Sequence, residues 1–335
     1  MTACRPDADL RIGPFEIAPG ACLAPMAGIT NPPFRRLCRE LGAVLTVTEL
    51  ISCHAVIHLF AKERNRRGRQ GTKTLALLER HPGERPLAIQ LYGRDPEQMA
   101  EAARIVAGMG AEIVDLNFGC PARKVVKDGR GCGVALMRDP ALVGRIAGAV
   151  LAAVGVPVTA KIRAGWSAAE QNAVAVARVL AEAGISALCV HGRTREQGHA
   201  GPVDLDAIAA VVDAVAVPVI GNGGIRGRDD AEEMIRRTGC ARVAVGQASK
   251  GNPWIFSEIG GGPGAPGLEE RVAICRRHLG FYLEWCGEER AVLEMRKHAC
   301  WYLKGFAGAA AVRRRMGEAV DAAAFHRLLD GIVPG

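Results

Sequence analysis

Short runs of Val, Ile, Leu and Ala recur along the chain at 21–26, 43–47, 86–91, 113–116, 157–162, 187–190, 217–220 and 242–245. Unbroken apolar runs of this length predict strands buried on both faces, as in a parallel sheet. The stretches between them carry apolar residues three and four apart and predict helices. Three of these helices have clear starts: Asn31 before Pro32-Pro33, Asp95 before Pro96 and Asp139 before Pro140 each place a capping side chain ahead of a first-turn proline. Further helices are expected at 52–60, 168–183, 204–215 and 229–237. Strict alternation of strand and helix without a break in composition predicts one (β/α)8 TIM barrel over residues 20–258. A doubly wound open sheet is the alternative, but no G-x-G-x-x-G follows the first strand.

The pattern changes at Gly260-Gly-Gly-Pro-Gly-Ala-Pro-Gly267, which reads as a linker. Beyond it only helical periodicity remains, so a small all-α helical bundle is expected. The predicted domains are therefore 1–259 and 260–335. Aromatics make up 4% of the chain, which favours small-residue helices on a Val/Ile-rich sheet over an all-β sandwich. The 11 cysteines occur singly with no C-x-x-C pair, the pattern of reduced thiols in a cytoplasmic protein and not of a disulfide framework or metal site. No signal sequence or membrane-spanning run is expected, and a monomer is favoured. Net charge is +8, which suits a polyanionic partner. The basic stretch Lys62 to Lys73 reads as a solvated loop or as one that meets phosphate. In the tail, Arg296-Lys297-His298, Lys304 and Arg313 to Arg315 lie among Trp301, Tyr302 and Phe306. These read either as solvated helix faces or as an RNA-binding surface.

The carboxyl ends of the predicted strands are polar where a barrel core should be apolar. In order they carry Pro25-Met26-Ala27, Glu49, Gln90, Asn117 with Cys120, Lys161 with Arg163, His191 with Arg193, Asn222-Gly223-Gly224 and Gly246-Gln247. One such residue would be weak evidence; convergence on one barrel mouth is a site. The Gly-rich turns after the last two strands stand where barrels hold phosphate, with a helix opening near Gly251-Asn252 expected to supply its N-terminus. The residues alone leave flavin mononucleotide (FMN) and a sugar phosphate both open, and leave Cys120 either a buried thiol in a turn or a group in reach of substrate.

Leu23-Ala-Pro-Met-Ala-Gly-Ile-Thr-Asn-Pro-Pro-Phe-Arg35, Asp115-Leu-Asn-Phe-Gly-Cys-Pro121, Val156-Pro-Val-Thr-Ala-Lys-Ile-Arg163, Val190-His-Gly-Arg-Thr-Arg195, Pro218-Val-Ile-Gly-Asn-Gly-Gly224 and Gly251-Asn-Pro-Trp-Ile-Phe256 resemble the tRNA-dihydrouridine synthases, most closely their bacterial B subgroup. The tail Met295-Arg-Lys-His-Ala-Cys-Trp-Tyr-Leu-Lys-Gly305 resembles their helical tRNA-binding domain. The resemblance implies an FMN enzyme, reduced by NADPH or NADH, that reduces the 5,6 double bond of a uridine in the tRNA D-loop. By position it implies that Pro25, Met26 and Ala27 line the flavin ring, that Gln90 and Lys161 bind its polar edge, and that His191, Asn222, Gly223, Gly224, Gly246 and Gln247 hold its phosphate. Cys120 would donate the proton. Asn117, Arg163, Arg193, Arg195, Arg296, Lys297 and Lys304 would meet the tRNA.

The chain departs from the family's pattern at Gln247, where an Arg is usual, at His199, and in the loop Gly129 to Gly133 with its extra Cys132. Two other readings are a non-catalytic tRNA-binding paralogue and an FMN barrel oxidoreductase acting on a small pyrimidine.

Overall fold

The computed structural model describes residues 10–63, 73–129, 131–306 and 309–332. Most of the basic stretch Lys62 to Lys73 lies outside the described residues, as does Arg130 in the loop after Cys120.

The strands are β1 (Leu10–Ile12), β2 (Phe15–Ile17), β3 (Ala21–Leu23), β4 (Thr46–Val47), β5 (Ile51–Ser52), β6 (Leu87–Tyr92), β7 (Ile113–Asn117), β8 (Val158–Arg163), β9 (Ala187–His191), β10 (Val219–Asn222) and β11 (Arg242–Val245). From β3 onward all pairings are parallel. β3 is flanked by β4 and β11, and β4 also pairs with β6, so the sheet closes on itself. This is the expected eight-stranded barrel, with β4 and β5 as two short pieces of its second strand. The antiparallel hairpin β1–β2 is an addition that the sequence pattern does not predict. Its Leu10, Ile12 and Ile17 pack with Leu45, Ile113, Ala187 and Ile220, apolar side chains of the barrel interior, and so cap its amino-terminal end.

Around the barrel run α1 (Pro32–Glu40), α2 (Cys53–Glu63), α3 (Lys73–Leu78), α4 (Pro96–Gly108), α5 (Arg123–Val126), α6 (Pro140–Ala153), α7 (Ala173–Ala183), α8 (Leu205–Ala214), α9 (Arg228–Thr238) and α10 (Ile255–Ile259). The capping residues behave as their chemistry requires: the side chains of Asn31, Asp95 and Asp139 accept from the backbone N–H of Phe34, Gln98 and Leu142. Two helices differ from expectation. α7 begins at Ala173 because Gly165 and Gln171 close a bridge that uses up the preceding residues. No helix opens at Gly251-Asn252; α10 starts at Ile255, and a Cβ at Gly251 would collide with Trp301.

The tail forms α11 (Leu268–Cys286), α12 (Glu288–Tyr302), α13 (Ala309–Arg315) and α14 (Ala322–Asp330). These share a core of their own, joined by Leu37 of α1 and by Trp254. The tail's polar tract is partly interior. Helical spacing turns Met295, His298, Ala299 and Tyr302 inward, so His298 and Tyr302 are fully buried and belong to no RNA-facing surface. Among the described residues, no helix is long and apolar enough to cross a membrane.

Candidate active site

Side chains alternate along a strand, and in paired parallel strands residues in register share a face. One parity of each barrel strand packs against the helices: Leu91, Val114, Leu116, Ala160, Ile162 and Val190 lie in that outer core. The other parity points inward. At the capped end of the barrel it is apolar; toward the carboxyl ends it becomes Gln90, Asp115, Asn117, Thr159, Lys161, Arg163, His191 and Asn222. Register then sets the layers. Gln90 pairs with Asp115 and Asp115 with Thr159, while Asn117 pairs with Lys161. Arg163 pairs with His191, and His191 with Asn222.

All of these side chains except Asp115 and Thr159 line a cleft of about 1260 Å³, which takes in every strand-end candidate from Pro25 to Gln247 apart from Glu49. It also takes in Arg195, His199 and Arg123. The tail residues Arg296, Lys297 and Lys304 are not part of it. Arg296 donates to Ala319 O, Lys297 Nζ donates to Gly28 O (2.9 Å) and pairs with Glu294, and Lys304 is exposed.

The floor of the cleft is a connected hydrogen-bond chain. Thr159 Oγ1 and Gln90 Nε2 donate to the Asp115 carboxylate at 2.7 and 2.6 Å. Asn117 Nδ2 donates to Gln90 Oε1 at 2.7 Å. Asn117 Oδ1 accepts the backbone N–H of Cys120 at 2.9 Å and of Gly119 at 3.3 Å. On the opposite side Lys161 Nζ donates to Asn222 Oδ1, whose Nδ2 donates to Ala244 O, both at 2.7 Å. Burial pulls the Lys161 ammonium down, while Cys189 and Asp115 draw it back up.

Arg163 is 3% exposed and spends its donors on four carbonyls: Nε on Gly119 O, and Nη1 on Thr194 O, Gly198 O and, at 3.5 Å, Arg193 O. It therefore ties the turn before Cys120 to the loop after β9. Arg193 similarly donates to Gly201 O. The Arg195 guanidinium lies 4.7 Å from the Trp166 ring centre and that of Arg138 5.2 Å, a cation–π stack that no local sequence pattern predicts.

Cys120 is partly exposed to the cleft. Burial pushes its thiol above the ordinary value of 9.0, only partly opposed by a backbone hydrogen bond at Ala122 and by Arg163 and Lys124. It is thus a protonated thiol at neutral pH. The loop beyond it folds back closely. Gly133 has φ +64°, and a Cβ there would come within 2.6 Å of Cys120 O. Cys132 donates its N–H to Val125 O.

The side of the cleft after β10 and β11 is built of free amides. Among the described residues, the backbone N–H groups of Gly223, Gly224, Gly246 and Gln247 have no protein acceptor. His191 Nδ1 is buried and without a partner. Burial, followed by the charges of Lys161, Arg163 and Arg193, holds its imidazole far below the ordinary range, so it is neutral. Gly223 has φ +110°, and a Cβ there would press on His191 Nε2 at 3.0 Å. Orphan donors in a concave, glycine-lined turn suit a phosphate. These turns therefore fit the phosphate of a phosphorylated ligand. Among the described residues no cluster of His, Cys, Asp and Glu could hold a metal ion.

Sequence comparison agrees with this reading of the fold. Residues 22–332 match the family model for dihydrouridine synthase (Dus). The chain is 41% identical over 320 residues to the tRNA-dihydrouridine synthase B of Pseudomonas aeruginosa, covering 93% of this chain and 92% of that one. It is 41% identical to the tRNA-dihydrouridine synthase B of Xanthomonas campestris (88% and 87% covered) and 38% identical to the probable tRNA-dihydrouridine synthase of Rickettsia conorii (91% and 90%). With a family match running almost end to end and relatives about 40% identical over most of their length, the chain belongs to the dihydrouridine synthase family.

Proposed function

We propose that this chain is an FMN-dependent tRNA-dihydrouridine synthase that reduces the 5,6 double bond of a D-loop uridine, with NADPH or NADH as reductant. The observation that carries the reading is Cys120, a protonated thiol in the same cleft as Lys161 and the unpartnered amides of Gly223, Gly224, Gly246 and Gln247. Those amides and neutral His191 would hold the FMN phosphate. Pro25, Met26 and Ala27 would line its ring, and Gln90 and Lys161 would meet its polar edge.

When bound there, FMN supplies the hydride that adds to C6 of the uracil. Addition at C6 leaves negative charge toward C5, and Cys120 gives that carbon its proton. Lys161 supplies positive charge in a site shielded from water, where it is worth more than in solvent. Asn117 has one amide hydrogen uncommitted to the floor chain, which it can give to the uracil. A stacked uridine cannot reach these groups, so the base must be splayed out into the mouth. Arg193, Arg195 and exposed Lys304 would carry phosphate contacts, whose affinity falls with salt. Arg163, Arg296 and Lys297, already bonded to carbonyls, would act mainly by holding loops in place.

The test is direct. The purified protein is expected to bind FMN and, given NADPH and tRNA lacking dihydrouridine, to form dihydrouridine detectable by mass spectrometry. A protein that takes up no FMN would overturn the flavin reading. A protein that binds both FMN and tRNA but forms no dihydrouridine would favour the non-catalytic paralogue.

A further inference from the structure

The floor chain has a direction, and Asp115 sets it. An ionised carboxylate only accepts hydrogen bonds. Gln90 must therefore turn its Nε2 toward Asp115, at 2.6 Å, which leaves Oε1 facing Asn117. Asn117 must then present Nδ2 to Gln90, and its Oδ1 falls on the N–H groups of Gly119 and Cys120. An amide that flips exchanges donor for acceptor, so without an acceptor-only group at its head the chain could reverse. Reversal would aim Asn117 Nδ2 at two backbone N–H groups and open the turn that carries Cys120. Asp115 is buried and, unlike Gln90 and Asn117, is not among the residues that line the cleft, so it does not meet a substrate there. Burial raises its carboxyl, while Thr159, Gln90 and the Lys161 charge favour the ionised form.

We propose that Asp115 is a positioning residue: through Gln90 and Asn117 it fixes the donor–acceptor order of the cleft floor and thereby the placement of the Cys120 turn. This rests on the assignment of Cys120 as the proton donor, but its first test does not.

In Asp115→Asn, either order of the chain becomes available. Amide hydrogen exchange of the full-length protein is expected to quicken roughly tenfold at Cys120 and Gly119, the scale of one buried hydrogen bond lost. Exchange in the α4 and α6 helices should stay unchanged. A general loss of stability would instead speed exchange throughout. The double variant Asp115→Asn/Gln90→Glu moves the acceptor-only group one place along the chain. The carboxylate it places at position 90 can accept from the amides on both sides, at positions 115 and 117, so protection at Cys120 is expected to return. Unchanged exchange in Asp115→Asn, or a double variant no better protected than the single one, would overturn the proposal. If Asp115→Asn will not fold, recovery of a folded protein with a protected Cys120 amide in the double variant still supports it; failure of both overturns it. Uridine reduction is measured separately. Opened Cys120 exchange with undiminished turnover would leave the hydrogen-bond order standing and remove Cys120 as the acid.

Discussion

Two buried polar clusters lie on either side of the segment Met26 to Phe34, and they are built on opposite principles. The barrel floor keeps both Asp115 and Lys161, and each is joined to an amide that leads in turn to backbone. The other cluster lies where the helical region docks on α1. Asn31 Nδ2 donates to the Tyr282 hydroxyl at 2.6 Å, Tyr282 contacts His298 Nε2 at 3.3 Å, and Tyr302 contacts His278 Nδ1 at 3.1 Å. All of these groups are buried and none carries a formal charge. His278 Nε2 and His298 Nδ1 have no partner among the described residues. Burial and the Lys297 charge pull His278 down to about 3, and burial holds His298 well below its ordinary value. A buried charge imposes a direction on every amide that touches it. Neutral imidazoles and phenols fix distance, leave direction open, and stay neutral only while the solution is not too acid.

Removing one of the two charges from the floor should weaken this contrast most. Lys161→Met removes one of the two floor charges and leaves the chain from Thr159 to Cys120 in place, and FMN reduction and uridine reduction are expected to fall by roughly 100-fold or more. Stopped-flow absorbance with NADPH measures the first. A variant with normal flavin reduction would show that the Lys161 charge does not serve the chemistry.

The next effect belongs to the docking cluster. His278 is neutral when folded and gains a proton near pH 6.5 when unfolded, so the unfolded state binds more protons below that pH. Stability is then complete above pH 6.5 and declines as pH falls toward about 3. One such imidazole costs about 2 kcal/mol by pH 5. Thermal melts from pH 7 to 5 should show this decline, and His278→Gln should make it shallower, leaving the share of His298 and His191. An equal acid decline in that variant would place the sensitivity elsewhere.

A smaller change is expected at the phosphate turn. If backbone amides grip the phosphate, Gln247→Arg should tighten FMN binding by less than about tenfold, the scale of one added exposed charge contact. Titration of the apoprotein measures it. A gain of several hundredfold would show that the missing charge, and not the amides, limits binding.

Much of this is legible in the chain, for reasons that differ by region. Barrel strands are buried on both faces, so runs such as Ile113-Val-Asp-Leu116 show through plainly, and the polar residues that end them stand out. Asp115 does not, because inside such a run one carboxylate looks like an interruption. Only the register with Gln90 and Thr159 shows what it holds. The hairpin β1–β2 has two strands of three residues, too few for alternation to be read. Arg296-Lys-His298 reads as one basic patch, yet successive residues on a helix face different ways: His298 is in the core, Arg296 binds a carbonyl, and Lys297 reaches back to Gly28. The helix expected to open near Gly251-Asn252 begins instead at Ile255, and Gly251, at φ +67°, lies too close to Trp301 to carry a side chain, a contact distant in sequence that leaves no local trace.

The proposed role of Cys120 as the proton donor to uracil C5 is open to a single-turnover test. FMN-loaded wild type and Cys120→Ala are each reduced with NADPH and mixed with tRNA lacking dihydrouridine, while flavin reoxidation and dihydrouridine formation are followed together. The expected result is equal flavin reduction in the two proteins and dihydrouridine formation slowed at least roughly 100-fold in Cys120→Ala. Equal rates of dihydrouridine formation would show that the proton comes from another group.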